Sequence, residues 1–120
     1  MMESARSVDP RALARLLEIT GGDPEFVDEL IQTYLDDAVV LLEAMREAAD
    51  SGSPEELVRP AHSLKSNSAS VGAERLAELC RQLEADARSG TVERGPERVA
   101  ATLAEFELVR TELAARRAAT

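Results

Sequence analysis

The fold is decided by residues 53–88, which read SPEELVRPAHSLKSNSASVGAERLAELCRQLEADAR. The stretch opens on Ser53-Pro54, a capping residue followed by a proline that suits the first position of a helix. One glycine, Gly72, interrupts the helical pattern. The apolar residues on either side of Gly72 recur at the three- and four-residue spacing of amphipathic helices. The stretch therefore predicts two helices joined by a tight turn.

The same signature of a capping residue and a proline recurs at Asp9-Pro10 and Asp23-Pro24. No alternation typical of strands appears. The short connections favour antiparallel neighbours, so we expect an all-α fold, an antiparallel up-and-down four-helix bundle with a short extra N-terminal helix. The expected helices are about Pro10–Ile19, Pro24–Ala49, Pro54–Val71, Ala73–Arg88 and Pro96–Arg116.

Composition limits the class of protein. The 120 residues fit a single domain over 1–120, with its core at about 9–113, and aromatic residues are only 2% of the chain. A net charge of −9 disfavours binding to nucleic acid or to anionic lipid. No apolar run approaches the ~20 residues of a membrane span, and no signal peptide opens the chain. The single Cys80 excludes an internal disulfide. We expect a monomer in the cytoplasm, away from membranes.

Helical-wheel positions divide the third predicted helix into two faces. At ~100° per residue, the apolar and small residues gather on one side and form its core stripe. That stripe is Leu57, Ala61, Leu64, Ser68 and Val71. His62, the only histidine, falls almost opposite it, and Lys65, the only lysine, lies one turn further along. The imidazole should therefore point into solvent beside an ammonium group.

Three kinds of chemistry can be weighed for an exposed histidine. Metal binding needs more ligands than this face offers, so we expect no metal site. General base catalysis needs a pocket and an orienting acid, and neither is evident. Nucleophilic attack on phosphorus remains open, because neutral imidazole is a good nucleophile and Lys65 could hold phosphoryl oxygens. Glu84 or Gln82, on the next predicted helix, could reach toward His62 and orient its ring.

The rest of the outer face offers space for another protein. Ser66 and Ala69 are short, and Val58 and Arg59 continue the same face on the preceding turns, so these four residues are candidate docking contacts. Pro60 is a difficulty, because it removes one helical hydrogen bond and clashes with the preceding turn. We therefore expect a kink at Pro60, or a helix that restarts there after a separate turn from Ser53 to Arg59.

A further apolar stripe lies on the second predicted helix. Its spacing is that of one helical face turned toward the core. It consists of Phe26, Leu30, Tyr34, Leu41, Met45 and Ala48, with Ile31, Ala38 and Leu42 beside it.

The sequence resembles the histidine-containing phosphotransfer (HPt) domain family over roughly Asp9 to Leu113. The motifs that carry the resemblance combine a histidine stretch, a glycine turn and a Leu-rich helix, together with the start of the second helix. They are Ala61-His62-Ser63-Leu64-Lys65-Ser66, Val71-Gly72-Ala73, Leu76-Ala77, Leu79-Cys80, Leu83-Glu84, Ala87-Arg88, and upstream Gly21-Gly22-Asp23 with Phe26 and Leu30. Ser66 departs from the pattern, because many members have glycine there.

The resemblance implies a phosphorelay intermediate of a two-component system. His62 would accept a phosphoryl group from the aspartyl phosphate of a response-regulator receiver domain and pass it to another receiver, with Lys65 beside it. Magnesium would belong to the receiver, and this chain would carry no cofactor of its own. A hybrid sensor histidine kinase is a possible partner. The chain lacks a Gly-rich phosphate loop, so we expect a phosphotransfer module and not an enzyme with its own ATP site.

Two other functions stay open at this point. The chain could be the phosphorylatable helical domain of a chemotaxis-type histidine kinase, which a kinase domain supplies from ATP. It could also be an interaction bundle that binds receivers without accepting phosphate.

Overall fold

Five helices make up the part of the chain that the computed structural model describes, residues 7–118, with side chains described for residues 7–116. The helices are α1 (Pro10–Ile19), α2 (Pro24–Asp50), α3 (Pro54–Ser70), α4 (Glu74–Arg88) and α5 (Gly95–Ala118). No strand occurs among residues 7–118. The first three helices begin where capping was predicted, because the side chains of Asp9, Asp23 and Ser53 accept first-turn backbone N–H groups.

The four long helices close into a bundle. α3 packs between α2 and α4, α5 packs against both α2 and α4, and α1 lies against α2. Connections of a few residues join consecutive helices, which makes them antiparallel neighbours. The all-α fold and the short extra N-terminal helix are confirmed, and helix ends differ from the predicted ones by no more than two residues.

The core is mostly aliphatic, with residues such as Met45, Leu64 and Leu83, and it also contains the ring of Phe106. The core stripe predicted for the third helix is buried as expected. The stripe predicted for the second helix is partly wrong, because Phe26 is 46% exposed and Leu30 36% exposed. α2 packs against both α3 and α5, so its buried band is broader than one stripe and starts one residue later. The buried residues of α2 are Val27, Ile31, Tyr34, Leu35, Ala38, Leu42, Met45 and Ala48.

One buried hydrogen bond joins α2 to α3. The hydroxyl groups of Tyr34 and Ser68 lie 2.9 Å apart in the core, and the Tyr34 ring contacts that of Phe106. Burial raises the pKa of Tyr34 to about 12, so the phenol keeps its proton. The pair holds Ser68 inward, which keeps the opposite face of α3 turned toward solvent.

The turn between α3 and α4 also anchors the N-terminal helix. Gly72 has φ +81°, and a Cβ there would lie 2.6 Å from the Cβ of Ala12 and 2.9 Å from the carbonyl oxygen of Asp9. The Asp9 N–H donates to the Gly72 carbonyl oxygen at 2.9 Å. Only glycine combines this backbone conformation with such close approach. α1 is thereby held at the end of α3 that follows the histidine.

Candidate functional site

The exposed histidine stands in the middle of α3. Ser53 caps the helix by accepting from the Glu56 N–H at 3.3 Å, and Pro54 occupies its first turn. With Leu64 and Ala61 fully buried on one side, the His62 side chain is 55% exposed on the other. The prediction of a solvent-facing imidazole is therefore confirmed.

Pro60 does not divide the helix, which corrects the prediction of a restart and of a separate turn from Ser53 to Arg59. α3 is one element from Pro54 to Ser70. Pro60 itself is buried beside Ala61. Packing of this ring offsets the one backbone hydrogen bond that a proline inside a helix removes. His62 therefore lies within one continuous helix, which Ser53 caps at its N-terminus.

The four candidate docking residues differ in exposure. Arg59, Ser66 and Ala69 are exposed on the outer face of α3. Val58 is only half-buried, and it packs against the core, so its expected place on the outer face needs correction. Its wheel position lies where α3 meets a neighbouring helix, and that contact covers part of the side chain.

Glu84, on α4, gathers three basic side chains. His62 Nδ1 lies 3.0 Å from its Oε2, and Lys65 Nζ lies 2.8 Å from its Oε1. Arg88, one turn along α4, places Nε at 2.9 Å and Nη2 at 2.7 Å from Oε2. The Glu84 side chain is only 8% exposed, whereas those of His62 and Arg88 are more than half exposed. A nearly buried carboxylate therefore sits beneath an exposed ring.

These contacts set the hydrogen-bonding roles of Glu84 and His62. The Lys65 ammonium, followed by Arg88 and His62, lowers the pKa of Glu84 from 4.5 to about 2 against the opposing effect of desolvation. An ionised carboxylate can only accept hydrogen bonds, so the Nδ1 of His62 must be the donor. A neutral imidazole that donates from Nδ1 carries its free lone pair on Nε2. The site therefore presents a nucleophilic nitrogen on its exposed ring.

The sequence had left Glu84 and Gln82 as alternative orienting groups, and the geometry selects Glu84. Gln82 donates instead to Glu78 on its own helix, from Nε2 to Oε2 at 3.0 Å. Sequence reasoning missed Arg88 altogether. The four-residue spacing of Glu84 and Arg88 was the available signal, since such pairs meet on one helix face.

An apolar cavity opens beside the outer face of α3. It has a volume of about 210 Å³ and lies where α1, α2 and the end of α3 meet. Its lining residues are Leu16, Leu30, Thr33, Tyr34, Asp37, Asn67, Ser70 and Val71. The exposed Leu30, which sequence reasoning had assigned to the core, thus lines a surface depression next to the histidine helix.

The described residues offer neither a metal site nor a membrane span. No group of three or more His, Cys, Asp or Glu side chains there could hold a metal ion. Over the same residues, no helix has both the length and the hydropathy needed to cross a membrane. Cys80 is buried, and burial raises the pKa of its thiol to about 12, so it is an inert part of the core.

Comparisons with known proteins agree with this geometry. The family model described as the Hpt domain matches residues 29–119. The crystal structure of histidine-containing phosphotransfer protein B (HptB) from Pseudomonas aeruginosa PAO1 superimposes with a TM-score of 0.88 at 32% identity, over 98% of this chain and 99% of that one. A search of curated proteins gives no match. The chain therefore belongs to the Hpt domain family, whose members are histidine phosphotransfer intermediates of two-component phosphorelays.

Proposed function

We propose that His62 is the residue that carries the phosphoryl group, accepting it from the aspartyl phosphate of a receiver domain. The observation that carries the proposal is the contact between the exposed imidazole and the ionised, nearly buried Glu84. In the neutral ring that contact leaves the lone pair on Nε2, and the side chain that carries it is 55% exposed. His62 is also the position that matches the histidine of the family motif.

In the proposed step, Nε2 attacks phosphorus in line with the bond to the aspartate oxygen. The Nε2–P bond forms as the P–O bond breaks, and the aspartate leaves as a carboxylate. The Nδ1 proton stays on the ring and continues to donate to Glu84. No proton has to be removed from the nucleophile, so the chemistry depends mainly on positioning. The reverse reaction passes the group to a second receiver.

Lys65 is proposed to hold the phosphoryl oxygens during transfer. Its ammonium is a compact charge on a flexible stem, and it lies beside the imidazole through their shared contact with Glu84. Charge-assisted hydrogen bonds from an ammonium to phosphate oxygens stabilise the charge that spreads over them in the transition state. The magnesium ion of the reaction is proposed to belong to the receiver.

The receiver is proposed to dock over the outer face of α3. Arg59, Ser66 and Ala69 surround the exposed ring there, and the two small side chains leave room for close approach. The neighbouring apolar cavity, with Leu30 at its edge, offers a surface that an apolar side chain of the receiver could fill. The chain is proposed to act without an ATP site of its own, so the receiver or a kinase must supply the phosphoryl group.

A transfer assay tests the proposal. The protein is mixed with each of a panel of receiver domains carrying radiolabelled phosphate and magnesium. We expect an acid-labile, base-stable label that is absent from His62→Gln, a variant that has no histidine left. Equal labelling of the variant would refute the assignment of His62. A parallel incubation with a histidine kinase and ATP but no receiver distinguishes a chemotaxis-type donor. Receiver binding without any label would indicate an interaction bundle.

A further inference from the structure

The two carboxylate oxygens of Glu84 serve different partners. Oε1 pairs with Lys65 Nζ at 2.8 Å. Oε2 accepts from His62 Nδ1 at 3.0 Å and from Arg88 Nε at 2.9 Å, and it forms an ion pair with Arg88 Nη2 at 2.7 Å. The orienting hydrogen bond of the imidazole and the arginine contacts therefore end on the same oxygen.

In the proposed function, the Lys65 ammonium contacts the phosphoryl group as well as Glu84. The Lys65 ammonium now lies 2.8 Å from Oε1, and turning it toward incoming phosphoryl oxygens would weaken that contact. Without Arg88, a shift of the Lys65 ammonium would leave a carboxylate that is 8% exposed in contact with the neutral imidazole of His62 alone. An unpaired charge at a site with so little access to water is unfavourable, so the carboxylate would reorient or take up a proton. Either change would release the Nδ1 hydrogen bond.

The contacts of Arg88 with Glu84 would preserve the hydrogen bond between Glu84 and His62 Nδ1. The Nε of Arg88 donates to Oε2 and its Nη2 lies 2.7 Å from the same oxygen, and the planar guanidinium keeps that geometry with little loss of freedom. The contact spans one turn of α4, so both partners are fixed to the same rigid helix. Lys65 reaches Glu84 from a different helix through a flexible stem. The arginine thus pairs with the carboxylate within one helix, whereas the lysine pairs with it across two helices.

We infer that Arg88 is a positioning residue that keeps Glu84 charged and in contact with His62 Nδ1 while Lys65 shifts its ammonium to the phosphoryl group. This inference rests on the proposed function of His62 and Lys65. It predicts that the effects of Arg88 and Lys65 on the transfer rate are coupled. The lysine can stabilise the transition state only if Glu84 stays ionised and in place when the ammonium moves away.

The test compares Arg88→Ala with Arg81→Ala. Arg81 is the matched control, since it lies on the same helix, is equally exposed, and pairs with Glu78 away from the histidine. Arg88→Ala should slow transfer from a labelled receiver roughly tenfold, the scale of one charge-assisted hydrogen bond, whereas Arg81→Ala should not. Arg88→Lys keeps a cation near Oε2 and should restore most of the rate.

The coupling between the two basic residues is measured in a double-mutant cycle. Lys65→Ala should cost much less in the Arg88→Ala background than in the wild type. The inference fails if the effects of Lys65→Ala and Arg88→Ala on the transfer rate are independent of each other. It also fails if Arg88→Ala transfers as fast as Arg81→Ala, and in both cases the role of His62 stands. A wild-type protein that no receiver labels at His62 would instead refute the proposed function.

A spectroscopic measurement needs no receiver at all. In ¹⁵N spectra of the imidazole, Lys65→Ala mimics the departed ammonium and should keep the tautomer protonated at Nδ1, because Arg88 still holds Glu84. Lys65→Ala combined with Arg88→Ala should shift the ring toward protonation at Nε2, and Lys65→Ala combined with Arg81→Ala should not. An unchanged tautomer in the first double variant would overturn the inference.

Discussion

The Nδ1 atom of His62 lies 3.0 Å from Oε2 of Glu84, so a hydrogen bond between α3 and α4 sets the direction of the imidazole. The carboxylate is ionised and can only accept, which assigns the proton to Nδ1 and the free lone pair to Nε2. Without this hydrogen bond, an exposed imidazole on a helix would populate several rotamers and both neutral tautomers. Glu84 thus supplies orientation to a residue whose surroundings are mostly solvent.

Removing this carboxylate should slow the reaction without unfolding the bundle. We expect Glu84→Ala to transfer roughly 10- to 100-fold more slowly, the range found when an orienting partner of a functional histidine is lost. Initial rates of label transfer from a phosphorylated receiver provide the measurement. Glu78→Ala, an exposed carboxylate on the same helix, serves as the control and should transfer at the wild-type rate. Equal rates for both variants would contradict the role of Glu84.

Lys65→Ala should also slow transfer while leaving the fold intact. Loss of a charge-assisted hydrogen bond to phosphoryl oxygens should cost roughly tenfold or more in rate. The Lys65 side chain is about one-third exposed, and Arg88 remains to balance Glu84, so the helical content should not change. Circular dichroism and the transfer rate are measured on the same sample. Lys65→Arg keeps the charge on a bulkier group, so its transfer rate should fall between those of the wild type and Lys65→Ala. A Lys65→Ala variant that transfers at the wild-type rate would exclude the lysine from the reaction.

Stability should depend on pH through Glu84. Its pKa falls from 4.5 to about 2 on folding, so the folded state favours the ionised form. The resulting stabilisation is complete above about pH 4.5 and disappears as the pH falls toward 2. Urea unfolding should therefore show Glu84→Gln less stable than wild type by about 1–2 kcal/mol at pH 7, with the difference shrinking by pH 3.

Glu78 provides the control for this pH dependence. Arg81 and Gln82 lower its pKa to about 2 as well, but its side chain is about half exposed. Surface ion pairs contribute little, so Glu78→Gln should change the urea midpoint less than Glu84→Gln at every pH. If the two variants behave alike, the burial of Glu84 has no energetic consequence.

Much of this architecture could be predicted from local signals. The three caps followed by proline placed the starts of α1, α2 and α3, and the apolar spacing of α3 turned His62 outward. These features depend on residues close together in sequence. The resemblance to the phosphotransfer family then assigned the chemistry that a lone exposed histidine could not reveal by itself.

The remaining features depend on contacts between helices. The choice of Glu84 over Gln82 was left open because it depends on how α4 is rotated against α3. Phe26 and Leu30 were assigned to the core because a single stripe cannot show that α2 packs against two neighbours. Pro60 was expected to kink α3 or to restart it because the loss of a hydrogen bond is visible in the sequence, whereas the burial that offsets it is not.

The buried pair of Tyr34 and Ser68 should matter for stability and not for the reaction. Tyr34→Phe leaves the Ser68 hydroxyl in the core without its partner and should reduce the free energy of unfolding by about 1–3 kcal/mol. Combining it with Ser68→Ala removes both polar groups and should recover part of the loss, because no unsatisfied group remains. Urea unfolding of the three variants gives the values. A combined loss equal to the sum of the single losses would argue against the hydrogen bond.

Gly72→Ala should detach the N-terminal helix from the bundle. The new Cβ would meet the Cβ of Ala12 at 2.6 Å and the carbonyl oxygen of Asp9 at 2.9 Å, and a left-handed conformation adds about 1–2 kcal/mol for a residue with a side chain. Because backbone must move to relieve the clash, we expect a total loss of about 2–4 kcal/mol in the free energy of unfolding. Amide hydrogen exchange should also become faster across α1, including the Asp9 N–H that donates to the Gly72 carbonyl oxygen.

Gly52→Ala isolates the backbone contribution. Gly52 has a similar φ of +67°, but a Cβ there meets nothing within 4 Å, so only the conformational strain applies. We therefore expect Gly52→Ala to cost about 1–2 kcal/mol and to leave hydrogen exchange in α1 unchanged. If Gly72→Ala costs no more than Gly52→Ala, the close approach of α1 does not constrain the turn. α1 borders the apolar cavity through Leu16, so its detachment should weaken receiver binding while His62 keeps its hydrogen bond to Glu84.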